Sequence, residues 1–158
     1  MFYAILKTIH LLSIIVWIGG MAFAHFFLRP AVATLKTPER VRLMHAVLGR
    51  FFNAGLVAGG LALGSGVWMM GRIAKQTVQA GAKLNLPLEW MVMAGLGVVM
   101  MIIFGYTRFA LYPRLTRAVT AAAWPAGDAA LASIRAWLMV SLAIGTVIVA
   151  VVLLGASR

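Results

Sequence analysis

The sequence predicts an all-α fold: an integral membrane four-helix bundle with up-down topology, its second helix extended into the cytoplasmic interface. Three observations carry that prediction. The 158 residues are 63% hydrophobic and only 11% charged, too little charge to cover a soluble domain of this length. Mean hydropathy is +1.00. Four stretches, 8–28, 51–71, 90–107 and 136–157, contain no Lys, Arg, Asp or Glu. Each meets or approaches the ~20 apolar residues that a helix needs to cross hydrocarbon. What remains between them is too short for a soluble domain. The reading is a single transmembrane domain over 1–158, with helices at about 2–29, 38–72, 88–112 and 128–156.

The first helix is predicted to end at Arg29-Pro30, because proline disfavours helix in the residue before it. Ala22-Phe23-Ala24 resembles a signal-peptidase site, but the apolar run continues past it to Leu28, which argues for an uncut span. Gly19-Gly20 in mid-helix would let a second helix or a flat cofactor approach closely. Thr37-Pro38-Glu39 reads as the start of the second helix, with Thr at the N-cap and Pro at the first helical position. Within that helix Gly55/Gly59 and Gly60/Gly64 fit the small-xxx-small pattern of helix contact. Gly81, Asn85 and Pro87 break the second loop, and the third helix leaves the membrane through Tyr106, Arg108 and Tyr112. Asp128 is the expected N-cap of the last helix, which reads as scaffold.

The charges are asymmetric. Loops one and three with their flanks hold nine basic residues: Arg29, Lys36, Arg40, Arg42, Arg50, Arg108, Arg114, Arg117 and Arg135. The opposite side holds five: Lys7, Arg72, Lys75, Lys83 and Arg158. The positive-inside rule puts loops one and three in the cytoplasm and both termini outside, in a bacterial-type inner membrane. The basic residues sit at the ends of apolar runs, so the partner they imply is the lipid bilayer and not nucleic acid.

Composition also excludes chemistry. Glu39, Glu89 and Asp128 are the only acids, too few for a paired-carboxylate engine or a carboxylate-rich metal site. With no cysteine there is no disulfide, thiolate ligand or Cys nucleophile. Any redox chemistry must come from a bound cofactor.

That leaves the histidines. His10 and His25 both lie in the first apolar run, where a polar ring costs free energy unless it has a partner. Fifteen residues of helix separate them by ~22 Å along the axis and ~60° around it, so they cannot share one metal ion. Near the inner rim, His25 has His45, Arg50 and Arg108 as possible neighbours. Two imidazoles there would give six-coordinate haem, with Arg29, Arg50 and Arg108 as propionate partners and Trp17 beside the ring. Near the outer side, His10 has Met69, Met70, Met91 and Met93 within reach. A His/Met set suits haem axial ligation or Cu(I). The plainer alternatives are methionine as core filler, His45 as a solvated residue and Trp17 as packing.

The pattern LKTIHLLSIIVWIGGMAFAHFFLRPA, then GRFF at Gly49–Phe52, then WPAGDAALASIR at Trp124–Arg135, resembles the CopD-like small integral membrane proteins. It is more distantly similar to the HemJ group of protoporphyrinogen oxidases. The likeness spans nearly the whole chain. The CopD likeness implies copper uptake. The HemJ likeness implies bound haem b and oxidation of a porphyrinogen, with His10 matching the first-helix histidine. No lysine lies in the third or fourth helix to complete that pattern.

The leading expectation is a haem b-binding inner-membrane protein acting in electron transfer or oxidoreduction. Its metal ligands would come from His10, His25 and His45, and it would exchange electrons with an unidentified redox partner. Copper transport or homeostasis through His10 and the outer-half methionines is the first alternative. A non-catalytic partner subunit packing through the glycine-rich helix is the second; a homodimer is possible, and a stable one with cofactor would count against the partner-subunit reading.

Overall fold

The computed structural model describes residues 1–81 and 87–155. Every regular element among the described residues is helical, and four helices are long and apolar enough to cross a membrane. They are α1 (Phe2–Val32), α2 (Thr37–Gln79), α3 (Leu88–Thr120) and α4 (Trp124–Gly155). Lys83, Asn85, Ser157 and Arg158 lie outside the described residues.

The apolar surface faces outward. Ile15, Phe27, Val67, Ile102 and Leu153 are all exposed, as suits side chains solvated by lipid tails. Inside, α1 packs mainly on α2 and α3 mainly on α4, with the four helices meeting around Trp17, Met21, Leu48, Phe52, Phe104 and Leu138. Phe104 takes Trp17, Phe51 and Phe52 edge-on, at centroid separations of 5.6, 5.7 and 5.4 Å. These rings plug the middle of the bundle.

Glycine makes room for the plug. A Cβ at Gly55 would collide with the Phe104 ring, and one at Gly20 would lie 2.6 Å from Phe51 Cε2. The close approach at Gly20 therefore serves a neighbouring helix's phenyl ring, not a flat cofactor. At Gly59 the hole is filled by Met101 Sδ and the edge of Trp17. A Cβ at Gly60 or Gly64 would meet nothing within 4 Å among the described residues, so no neighbouring side chain requires glycine there.

The helix ends depart from the sequence reading in consistent ways. Proline does not stop α1 or α3. Each instead carries a π-helical turn just before its proline: Ala24–Leu28 ahead of Pro30, and Thr107–Leu111 ahead of Pro113. A proline lacks its N–H and crowds the carbonyl four residues back; widening the turn accommodates both, and the helix goes on. So α1 runs to Val32 rather than 29, and α3 runs to Thr120 rather than 112. The second helix has Lys36 at its N-cap, one residue before the expected Thr37, and continues past 72 to Gln79. Gly81, at φ +70°, closes its C-terminus. At 43 residues this helix is about 65 Å long, twice the hydrocarbon thickness, so it projects beyond the membrane.

Asp128 is not an N-cap. The last helix already begins at Trp124, and Asp128 instead accepts a 2.6 Å bond from Arg40 of α2. The α3–α4 turn explains the early start. Ala123 N–H reaches Ala118 O and Ala122 N–H reaches Val119 O, with Ala122 at φ +52°. That is a Schellman closure with alanine where glycine is commoner.

Candidate functional site

The structure separates the three histidines into three environments. His10 is half-buried between α1 and α2, at the end of the bundle that carries the chain termini. Its Nδ1 lies 2.8 Å from Ala62 O and 3.1 Å from Ser65 Oγ. A carbonyl oxygen can only accept, so Nδ1 carries the hydrogen and donates it. The Ser65 hydroxyl donates back into its own helix, to Leu61 O and Ala62 O, and offers a lone pair to the same N–H. Nε2 has no hydrogen-bond partner among the described residues, and whenever the ring is neutral with its hydrogen on Nδ1 the free lone pair is on Nε2. This arrangement, one ring nitrogen held by a carbonyl and the other free, is how ligating histidines are oriented.

His10 lines a cavity of about 120 Å³. Around it are Met70, Met93 and Met100, with Trp17 and Ile14 from α1 and Ile148 from α4. The ring lies against Gly66, where a Cβ would meet His10 Cε1 at 3.2 Å. The lining residues that carry donor atoms are one histidine and three methionines, among otherwise apolar side chains. That set fits a soft, low-charge metal ion such as Cu(I), and its lack of carboxylate disfavours hard cations. The volume is well below the about 300–1,000 Å³ typical of pockets that bury organic ligands. The cavity admits an ion more readily than a macrocycle. Trp17, 4% exposed, also lines it, and its Nε1–H has no hydrogen-bond partner among the described residues.

Of the four methionines the sequence placed near His10, two line this cavity, Met70 and Met93. Met69 does not line it and Met91 is half exposed. Met100, buried and two turns further along α3 from Met93, takes a place the sequence reading did not assign. Its seven-residue spacing from Met93 was the available signal, since residues i and i+7 share a helix face.

His25 sits in the π turn of α1, at the arginine-rich end. It lines a second and larger cavity, about 430 Å³, together with Arg29, Arg40, Asp128 and Arg135. His45 faces elsewhere. Its Nε2 lies 3.0 Å from Thr116 Oγ1, whose hydroxyl hydrogen is committed to Tyr112 O, so the imidazole donates. The ring stacks on Tyr112, 5.1 Å between centroids and 3° from parallel, and Tyr112 OH donates to His45 O. These contacts tie α2 to α3. The pair expected to sandwich a haem, His25 and His45, is thus directed into different parts of the bundle.

The arginines also divide. Arg29 shares the cavity of His25; Arg50 and Arg108 do not. Arg50 is exposed. Arg108 lies over the Tyr112 ring at 5.1 Å, with a long 3.5 Å bond from Nη2 to Asn53 Oδ1. Arg40 and Arg135, which the sequence reading did not single out, flank Arg29 in its place. No group of three or more His, Asp or Glu side chains that could hold a metal ion exists among the described residues.

Residues 45–154 match the family described as copper resistance protein D, or CopD. The match takes in well over half of the chain and includes α3, α4 and the α2 segment that backs His10. No curated protein and no solved structure matches the chain.

Proposed function

We propose that this chain, which belongs to the copper resistance protein D family, carries copper as cargo within the membrane, bound as Cu(I) by His10 and the thioethers beside it. The single observation behind this is the His10 ring. Its Nδ1–H is fixed by Ala62 O, its Nε2 has no hydrogen-bond partner among the described residues, and the residue lines a cavity together with Met70, Met93 and Met100. The bond to Ala62 O is what any imidazole in a span needs; the three methionines lining the same cavity are what a packing role does not require. The family's tie to copper resistance favours this over haem b oxidoreduction. The small volume of the cavity points the same way.

The protein is a multi-pass membrane protein of four spans. In the proposed setting, the inner membrane, the arginine-rich loops face the cytoplasm and both termini face out. The His10 cavity then lies in the outer half, where copper would enter or leave. The residues' part in this is to bind and to exclude water. Ala62 and Ser65 hold the imidazole, and the aromatic plug closes the bundle beneath it.

The test is a competition titration of detergent-purified protein against a chromogenic Cu(I) chelator. The wild type should take up one Cu(I) per chain, and His10→Ala should weaken it by at least about 100-fold, the upper range for disturbing a metal ligand's surroundings. Wild-type protein that takes no copper from the chelator, or a His10→Ala variant that matches it, would end this reading.

A further inference from the structure

The cavity at the arginine-rich end is a second site of different chemistry. Its floor is apolar: Met21, Leu48 and Leu138 are buried core residues. Its mouth is cationic. Arg29, Arg40 and Arg135 all line it, against a single carboxylate, Asp128. Asp128 is committed to Arg40 at 2.6 Å, the one ion pair among the described residues. Arg29 and Arg135 are left without a carboxylate, and both are exposed. The volume, about 430 Å³, lies inside the range of pockets that bury organic ligands. The wall on the α1 side is the turn that carries Ala24 and His25.

Taken together, the geometry points to a binding site for an anionic amphiphile. A carboxylate or phosphate would be held between Arg29 and Arg135, and the first part of an apolar tail would lie over Met21, Leu48 and Leu138. Charge and shape agree on this occupant. Guanidinium groups bind carboxylate and phosphate through paired N–H donors, and an apolar floor beneath them excludes a fully polar anion as the best fit. The ligand class is the same whether the acid belongs to a membrane phospholipid or to a free long-chain acid. The inference does not rest on the copper reading, because the two cavities share no residue.

The experiment uses the full-length protein in an uncharged detergent, with cis-parinaric acid, a fluorescent long-chain acid, as the probe. Saturable 1:1 binding is expected for the wild type and for Arg50→Gln, which changes an arginine outside the cavity. The Arg29→Gln/Arg135→Gln double variant should bind at least about tenfold more weakly. Ala132→Trp, which fills the cavity without touching its charge, should abolish binding. Displacement of the probe by short-chain phosphatidylglycerol would identify a lipid headgroup as the natural source. Displacement only by free long-chain acids would identify a soluble one. Either result supports the site. The inference is overturned if the wild type shows no saturable binding, if either cavity variant binds as the wild type does, or if phosphatidylcholine displaces the probe as well as phosphatidylglycerol.

Discussion

Two histidines on one helix, His10 and His25, end up in opposite chemistries. His10 has a backbone carbonyl and a serine behind it and methionines around it. His25 has arginines and an aspartate around it, and its ring packs edge-on against Phe26 at 4.8 Å. The first cavity is small, apolar and suited to a soft ion; the second is larger, cationic at its mouth and suited to an acid with a tail. The aromatic plug stands between them, Trp17 on the His10 side and Met21 one turn on toward His25. The difference teaches that the surroundings of a membrane histidine are set by the helices that meet it. The span it lies in does not decide.

The comparison can be broken most severely at the plug. Phe104 is fully buried and fills the space left by Gly55. Phe104→Ala should cost about 3–5 kcal/mol of stability, read as a lower thermal midpoint in detergent. A change near zero would mean that the plug does not hold the two cavities apart. The next effect separates the histidines. Because His25 and His45 share no cavity with the methionine set, alanine at either should leave Cu(I) affinity within about threefold of wild type, against the 100-fold loss at His10. Equal losses at His10 and His25 would erase the distinction drawn here.

Smaller changes sharpen the contrast. A methyl group at Gly66 would press on His10 Cε1 at 3.2 Å, so Gly66→Ala should shift the imidazole slightly and weaken Cu(I) binding by about tenfold without unfolding the bundle. Chelator competition beside circular dichroism checks both parts. Smallest of all is Arg40→Gln. It breaks the ion pair with Asp128, but the two side chains are 28% and 41% exposed, so the loss of stability should stay below about 1 kcal/mol. A larger drop in the thermal midpoint would show that this pair fastens α2 to α4 more strongly than its exposure implies.

Much of the fold was legible because hydrocarbon imposes a simple rule on sequence. Four runs without Lys, Arg, Asp or Glu became four spans, with nine of the fourteen basic residues placed by the sequence on the side of loops one and three. The helix ends were less legible. Pro30 read as a stop and the third helix was expected to end at about 112, yet a π turn before Pro30 and another before Pro113 let both helices continue, and that choice depends on packing that no local pattern records. The site was half legible. His10 stood out because a buried polar ring is costly, and Met70 and Met93 were near it by depth. What holds His10 was not legible. Ala62 and Ser65 lie 52 and 55 residues away, and only the rotation of α2 about its axis brings their oxygens to the ring. The Arg40–Asp128 pair, 88 residues apart, was hidden for the same reason.

The central claim, that His10 and the methionines around it bind copper, is tested most directly by X-ray absorption on the Cu(I)-loaded protein. The account predicts a first shell of one nitrogen with two or three sulfurs, and loss of the nitrogen in His10→Ala. A shell of oxygen and nitrogen alone, or a spectrum unchanged by His10→Ala, would contradict it.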